Sequence, residues 1–362
     1  MKRTHIYSIF LALTAAVLFG ASAPLAKLLL GEIEPVLLAA FLYLGSGFGL
    51  LIIKALQLVG KSSVNAEAMI KKEDFIWLAG ATLAGGIMAP IILLFGLRDT
   101  PGATASLLLN FESVATTIIA ALAFKEAVSS RAWYAIITIT LASIILSVNP
   151  SSEWGFSIGA FGILAACVLW GIDNNLTRNI SAKDPLTIVT IKGLVAGTFS
   201  LALAIMLGNR LPAWNILLGA MILGSMSYGL SITLFIRAMR ELGAARTSAL
   251  FGSAPFAGIA ISLFLFHETT SFMFLLAIPL MVAGTIFLVY EQHAHLHSHE
   301  ASVHEHAHNH DDGHHGHDHG ESGIHVRSHS HLHEHLCREH EHHHMPDIHH
   351  RHTHSSAANI NQ

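Results

Sequence analysis

The sequence predicts an all-α membrane protein: ten transmembrane helices in two inverted five-helix repeats, followed by a disordered C-terminal tail. Three observations carry this prediction. Of 362 residues, 52% are hydrophobic and 12% charged even with a very polar tail included, so residues 1–290 cannot form a soluble globule. A stretch over 102–126 returns at 244–268, displaced by 142 positions. Ala103, Ser106, Leu108, Ile119, Phe124 and Glu126 then fall on Ala245, Ser248, Leu250, Ile261, Phe266 and Glu268. After Tyr290 the composition changes abruptly.

The first apolar run, from Ile6 through Leu30, follows a basic start and passes Ala21-Ser22-Ala23, which imitates a signal-peptide end. Cleavage is not expected. Pro24 would follow the cut, and the apolar run continues beyond it. The further spans are expected over 35–58, 75–97, 103–124, 133–148, 158–178, 186–207, 213–236, 244–266 and 272–290. Each is a run of about the length that crosses a ~30 Å hydrocarbon core at ~1.5 Å per residue, with 133–148 the shortest. Phe19-Gly20 through Leu25 to Lys27 aligns with Trp170-Gly171 through Leu176 to Arg178 at a shift of 151, so the duplication extends upstream. The charged spacer 61–74 has no long counterpart in the second half, which accounts for the change of shift. The domains are therefore 6–149, 155–290 and the tail 291–362.

Orientation follows from the cations, which are retained on the cytoplasmic side. With the N-terminus inside, thirteen fall inside (Lys2, Arg3, Lys54, Lys61, Lys71, Lys72, Lys125, Arg131, Arg178, Lys183, Arg237, Arg240 and Arg246), against only Arg98 and Arg210 outside. Both termini are thus expected in the cytoplasm. Five helices per repeat turn the second half upside down relative to the first, the usual basis of alternating access around a site between the halves.

The chain resembles the EamA-type members of the drug/metabolite transporter superfamily over about residues 6–290. The likeness lies in the ten-helix duplication, in a first helix ending with Gly20, Pro24 and Lys27, and in two long helices that each close on an acidic residue. The family's fourth and ninth helices often carry a Glu-Pro pair midway. Here the pair is split, Glu112-Ser113 keeping the acid and Ala254-Pro255 the proline at equivalent positions. An arginine often seen early in the second helix is absent, where the chain reads Ala39-Ala40-Phe41. These departures bear on substrate class more than on fold.

Charge inside a span is expensive and suggests function. Glu112 lies near the middle of its span, where a short carboxylate cannot snorkel; it is protonated, paired or facing a wet cavity. Substrate or proton handling is the leading reading, and a structural hydrogen bond the alternative. Lys27 and Lys192 lie within a turn or two of their helix ends and can reach the interface by snorkelling, but Lys27 gains weight from the family likeness and its repeat partner Arg178. Asp173, Asn174 and Asn175 either line the pore or mark a helix end. Trp170 is a substrate stack or, more simply, packing. Asn110 reads as structural. Pro90, Pro255 and Pro279 interrupt helices and free carbonyls; Pro255 matters most, because it falls beside the position equivalent to Glu112. The substrate-binding candidates are thus Glu112, Lys27, Trp170, Asp173, Asn174 and Pro255. Glycines spaced by four (Gly45/Gly49, Gly155/Gly159, Gly193/Gly197) read as close helix packing.

Of the last 72 residues, 25 are His, eleven are acidic and three are Arg, so the tail cannot form a core. Its His-x-His runs offer His293, His295, His297, His299, His304, His306, His308, His310, His329, His331, His333 and His335 as neutral imidazole ligands for zinc, nickel, cobalt or copper. His304-Glu305-x-x-His308 matches a metalloprotease string, but in so histidine-rich a tract chance supplies the match, and no catalytic constellation accompanies it. Cys167 and Cys337 form no metal or disulfide pattern. Two functions remain. The first is a secondary transporter, in the exporting direction, of a small organic metabolite that is amino-acid-like or drug-like. It needs no cofactor, its partners are lipid, substrate and metal at the tail, and it binds no nucleic acid; a homodimer stays open. The alternative is a divalent metal transporter or metal-responsive membrane protein, which the scarcity of histidine before the tail (His5 and His267) disfavours.

Overall fold

The computed structural model describes residues 2–59, 69–123, 128, 130–148, 156–180, 183–242, 250–268 and 270–289, together with the backbone of 293–299, 302–308, 329–335 and 338–344. Among the described residues, eight helices are long and apolar enough to cross a membrane, from Ile6–Leu29 to Trp214–Ala238, and two shorter apolar helices follow. The first span consists of α1 (Lys2–Gly20) and α2 (Ser22–Leu29), and the second is α3 (Pro35–Val59), which starts on its proline. The third joins α4 (Phe75–Ala81) to α5 (Ala89–Arg98) through a π-helical turn, Thr82–Met88. The fourth is broken into α6 (Gly102–Leu108) and α7 (Phe111–Ala123), and α8 (Ser130–Ser147) is the fifth.

The second half continues with α9 (Ile158–Arg178) and α10 (Pro185–Met206), each opened by a capping side chain, Ser157 and Asp184 respectively. The eighth span joins α11 (Trp214–Gly224) to α12 (Ser231–Leu242) through a second π-helical turn, Ser225–Leu230. Then come α13 (Ala254–Phe266) and α14 (Phe272–Val289), the latter running through Pro279 without a break. The first part of the expected ninth span, 244–249, lies outside the described residues, as does Gly155 of the glycine pairs.

Two irregularities recur at a spacing of 142–143 residues. The π turns begin at Thr82 and Ser225 and end at Met88 and Leu230, giving 225 − 82 = 143 and 230 − 88 = 142. The mid-span helices α7 and α13 begin at Phe111 and Ala254, and 254 − 111 = 143. Several of the main packing pairs join a span of one half to a span of the other. The second span lies on the seventh (α3 on α10), the fifth on the tenth (α8 on α14) and the fourth on the ninth (α6 on α13), while first on eighth (α1 on α12) mirrors sixth on third (α9 on α5). At the α3–α10 seam the backbones touch: a Cβ on Gly193 would come within 2.9 Å of Gly47 N, and one on Gly197 within 2.6 Å of Leu44 N. The interior is apolar, with Leu37, Leu38, Leu94, Leu107 and Ile163 fully enclosed. Outward, Phe10, Ile52, Leu122 and Phe264 stand exposed, as a surface bathed by lipid tails allows.

In the tail, four segments are described: β1 (His293–His299) pairs antiparallel with β4 (Arg338–His344), and β2 (Ser302–His308) with β3 (His329–His335). His-x-His alternation has the period of two that suits a strand, and backbone pairing needs no apolar core. His310 lies outside the described residues.

Candidate functional site

The site is built on the two irregularities of the first half. Residues Leu109 and Asn110 interrupt the fourth span with tight turns: Asn110 N donates to Leu107 O at 3.2 Å and Ser113 N to Asn110 O at 3.2 Å. The break places Glu112 in the first turn of α7, inside the bundle, where the positive end of a helix dipole favours its charge. Glu112 is half-buried.

Across from it runs α9, whose residues 167, 171, 174 and 175 share one face. Asn174 Nδ2 donates to Glu112 Oε1 at 2.9 Å and reaches Thr116 Oγ1 at 3.2 Å. Asn175 Nδ2 donates to Thr116 O at 3.0 Å and to Gly171 O at 2.8 Å, while Cys167 Sγ sits 3.8 Å from Leu108 O. Asn174 is exposed although it lies within a span. The carboxylate and its amide partner come from opposite halves of the sequence.

The second irregularity supplies a bare carbonyl. In the π turn, Ala89 N donates to Ala84 O, one residue further back than in an α-helix. Gly85 O would next look to residue 90, but Pro90 has no N–H. The orphan is taken by two side chains, Tyr43 Oη at 2.8 Å and Trp170 Nε1 at 3.0 Å. Gly85 also lies against Asp173, whose carboxylate occupies the space a Cβ would need. Trp170, only 9% exposed, is therefore a buried strut of the wall.

Asp173, 7% exposed, is committed to a buried ion pair, with Lys192 Nζ at 2.5 Å from Oδ1 and 2.7 Å from Oδ2 and Thr177 Oγ1 donating at 2.8 Å. Lys192 thus turns inward rather than snorkelling. Asp173 lies five residues before the end of α9 and Lys192 seven after the start of α10, so the reversal between the helices sets them at similar depth.

Of the sequence candidates, Glu112, Asn174, Asp173 and Trp170 form one connected neighbourhood. Pro255 opens α13, the counterpart of the helix that Glu112 opens. Lys27 joins different partners: its Nζ donates to Leu97 O at 3.0 Å and Thr100 O at 2.5 Å at the end of the third span. Two residues not singled out in the sequence complete the wall. Tyr43 and Tyr228 stack at 5.8 Å, and Phe19 meets Tyr228 at 6.0 Å. Their mid-span position was the available signal, since membrane tyrosines usually sit at the interface. Among the described residues, no group of three His, Cys, Asp or Glu side chains is placed to hold a metal ion.

Comparison with known proteins adds three findings. A model of the EamA-like transporter family matches over residues 6–148 and 157–290. An uncharacterized transporter of Methanothermobacter thermautotrophicus (strain Delta H) is 30% identical over 295 residues, covering 77% of this chain and 84% of that protein. A solved crystal structure aligns with a TM-score of 0.56 at 18% identity, covering 78% of this chain and 95% of the other, a likeness of fold.

Proposed function

Since the chain belongs to the EamA-like transporter family, we propose that it is a secondary transporter that exports a small organic metabolite, amino-acid-like or drug-like, by alternating access. One observation carries the proposal: Glu112 of the fourth span, half-buried and bonded by Asn174 of the sixth, makes a polar site between the two halves. Tyr43, Tyr228 and Phe19 supply apolar faces beside it, and Asp173 with Lys192 holds the wall without adding net charge.

The halves are two inverted five-helix repeats rocking about this site. Supporting this are the π turns and mid-span helix starts that recur at a spacing of 142–143, and the symmetric pairing of second with seventh, fourth with ninth and fifth with tenth spans. Discontinuous helices whose half-helix N-termini face the middle of the bundle are how such proteins bind solutes at the bilayer midplane. The protein sits in the cytoplasmic membrane with both termini inside. Its tail binds divalent metal as an accessory.

Uptake and efflux of a panel of amino acids, amines, organic acids and neutral solutes, in vesicles with and without a proton gradient, test the function. Gradient-sensitive flux of an organic solute is expected. Flux of divalent metal alone, abolished by removing the tail, would overturn it in favour of a metal transporter.

A further inference from the structure

A second charged cluster lies at the turn between the third and fourth spans. Glu268 follows α13, where His267 adopts a left-handed conformation (φ 50°) and turns the chain back on the helix end. Its carboxylate accepts from Gly102 N at 2.7 Å (Oε1) and from Ala103 N at 3.0 Å (Oε2), the first N–H groups of α6, with Ser262 Oγ 3.4 Å away. Such groups have no partner within the helix, and an anion suits the helix dipole there.

Lys27 does the converse. Its Nζ donates to Leu97 O in the last turn of α5, where a cation suits the dipole, and to Thr100 O in the turn just beyond it. Residues 98–101 are therefore gripped on one side by a cation from the first span and on the other by an anion from the ninth. Each charge is addressed to a helix end. Asn174, beside Glu112, is by contrast exposed.

We infer that Lys27 and Glu268 are positioning residues that latch the bundle shut at the turn between the third and fourth spans and must let go for the site to open at that end. The latch draws on the ninth span, so rocking of one half against the other strains it directly. Its release and re-formation set how long each face stays closed. The latch rests on the two-sided transport proposed above, but its test needs no substrate, so failure to find a transported solute would leave it standing.

The probe is a thiol introduced by Ser106→Cys, four residues into the fourth span from Gly102 at a site now 1% exposed. Full-length protein in proteoliposomes of known orientation is treated with a membrane-impermeant maleimide on the face that carries Arg98, and labelling is resolved by peptide mass. Glu268→Gln and Lys27→Met are each expected to raise the labelling rate about tenfold, as loss of charge-assisted hydrogen bonds predicts. Glu268→Asp should label more slowly than Glu268→Gln. The exchange Lys27→Glu with Glu268→Lys should not restore protection, because each side chain would then face the wrong helix end. Wild-type labelling in both neutral variants would overturn the latch. So would full protection in the exchanged pair, or equal labelling of Glu268→Asp and Glu268→Gln.

Discussion

Lys192 Nζ stands 2.5 Å from Asp173 Oδ1, joining the sixth and seventh spans inside the bundle. Both groups are largely withdrawn from water, so removing one partner leaves the other charged and uncompensated. Asp173→Asn or Lys192→Met is predicted to cost about 3 kcal/mol of stability. The double variant Asp173→Asn/Lys192→Met should cost clearly less than the sum, because it leaves no buried lone charge. Thermal unfolding in detergent checks both statements, and additive losses would refute the coupling.

Trp170→Phe keeps an aromatic but smaller side chain and removes the Nε1 donor to Gly85 O, while Tyr43 Oη still serves that carbonyl. A loss of about 1 kcal/mol is predicted for Trp170→Phe, and distinctly more for Trp170→Phe combined with Tyr43→Phe, which orphans the carbonyl. The same unfolding measurement decides it. Equal stability of the single and double variants would show that the π turn does not depend on these donors.

The tail is predicted to bind several zinc or nickel ions at neutral pH, weakening below ~6.5, where free imidazole takes up its proton. With three basic and eleven acidic side chains its net charge is 3 − 11 = −8 when histidine is neutral, so neutral pH favours cations on both counts. Truncation after Tyr290 should abolish this binding and leave membrane insertion intact. Calorimetric titration of the full and truncated proteins, with membrane fractionation, provides the check.

Reporter fusions placed within 61–74 and after Tyr290 are predicted to face the cytoplasm together. The cation count of thirteen against two motivates this. An external signal from either would overturn the inverted arrangement.

Helix positions were legible in the sequence because an apolar run needs no partner to be recognised. The expected 158–178 and the observed Ile158–Arg178 coincide, and 35–58 becomes Pro35–Val59. The breaks were only half legible. Pro255 announces the start of α13, but the break at Leu109 and Asn110 has neither proline nor glycine to mark it. Gly85 was silent, since its bare carbonyl exists only once the π register and Pro90 coincide. The Asp173–Lys192 pair was missed because distance from a helix end suggests snorkelling, whereas depth across a helical hairpin decides partnership. Lys27 was singled out by the family likeness and its repeat partner Arg178; the helix end that it meets is 70 residues away in the chain. In the tail, composition ruled out a core but did not exclude pairing of alternating segments.

The most direct test of the central claim is flux through Glu112→Gln, measured in vesicles beside the wild type on an organic solute that the wild type carries. The amide nearly preserves shape and can still bond Asn174, so insertion and folding should be unchanged. Transport is predicted to fall at least about tenfold, the factor that ~1.4 kcal/mol carries, and its dependence on pH to flatten. Wild-type flux with an unchanged pH profile would contradict the account and reduce Glu112 to a structural hydrogen bond.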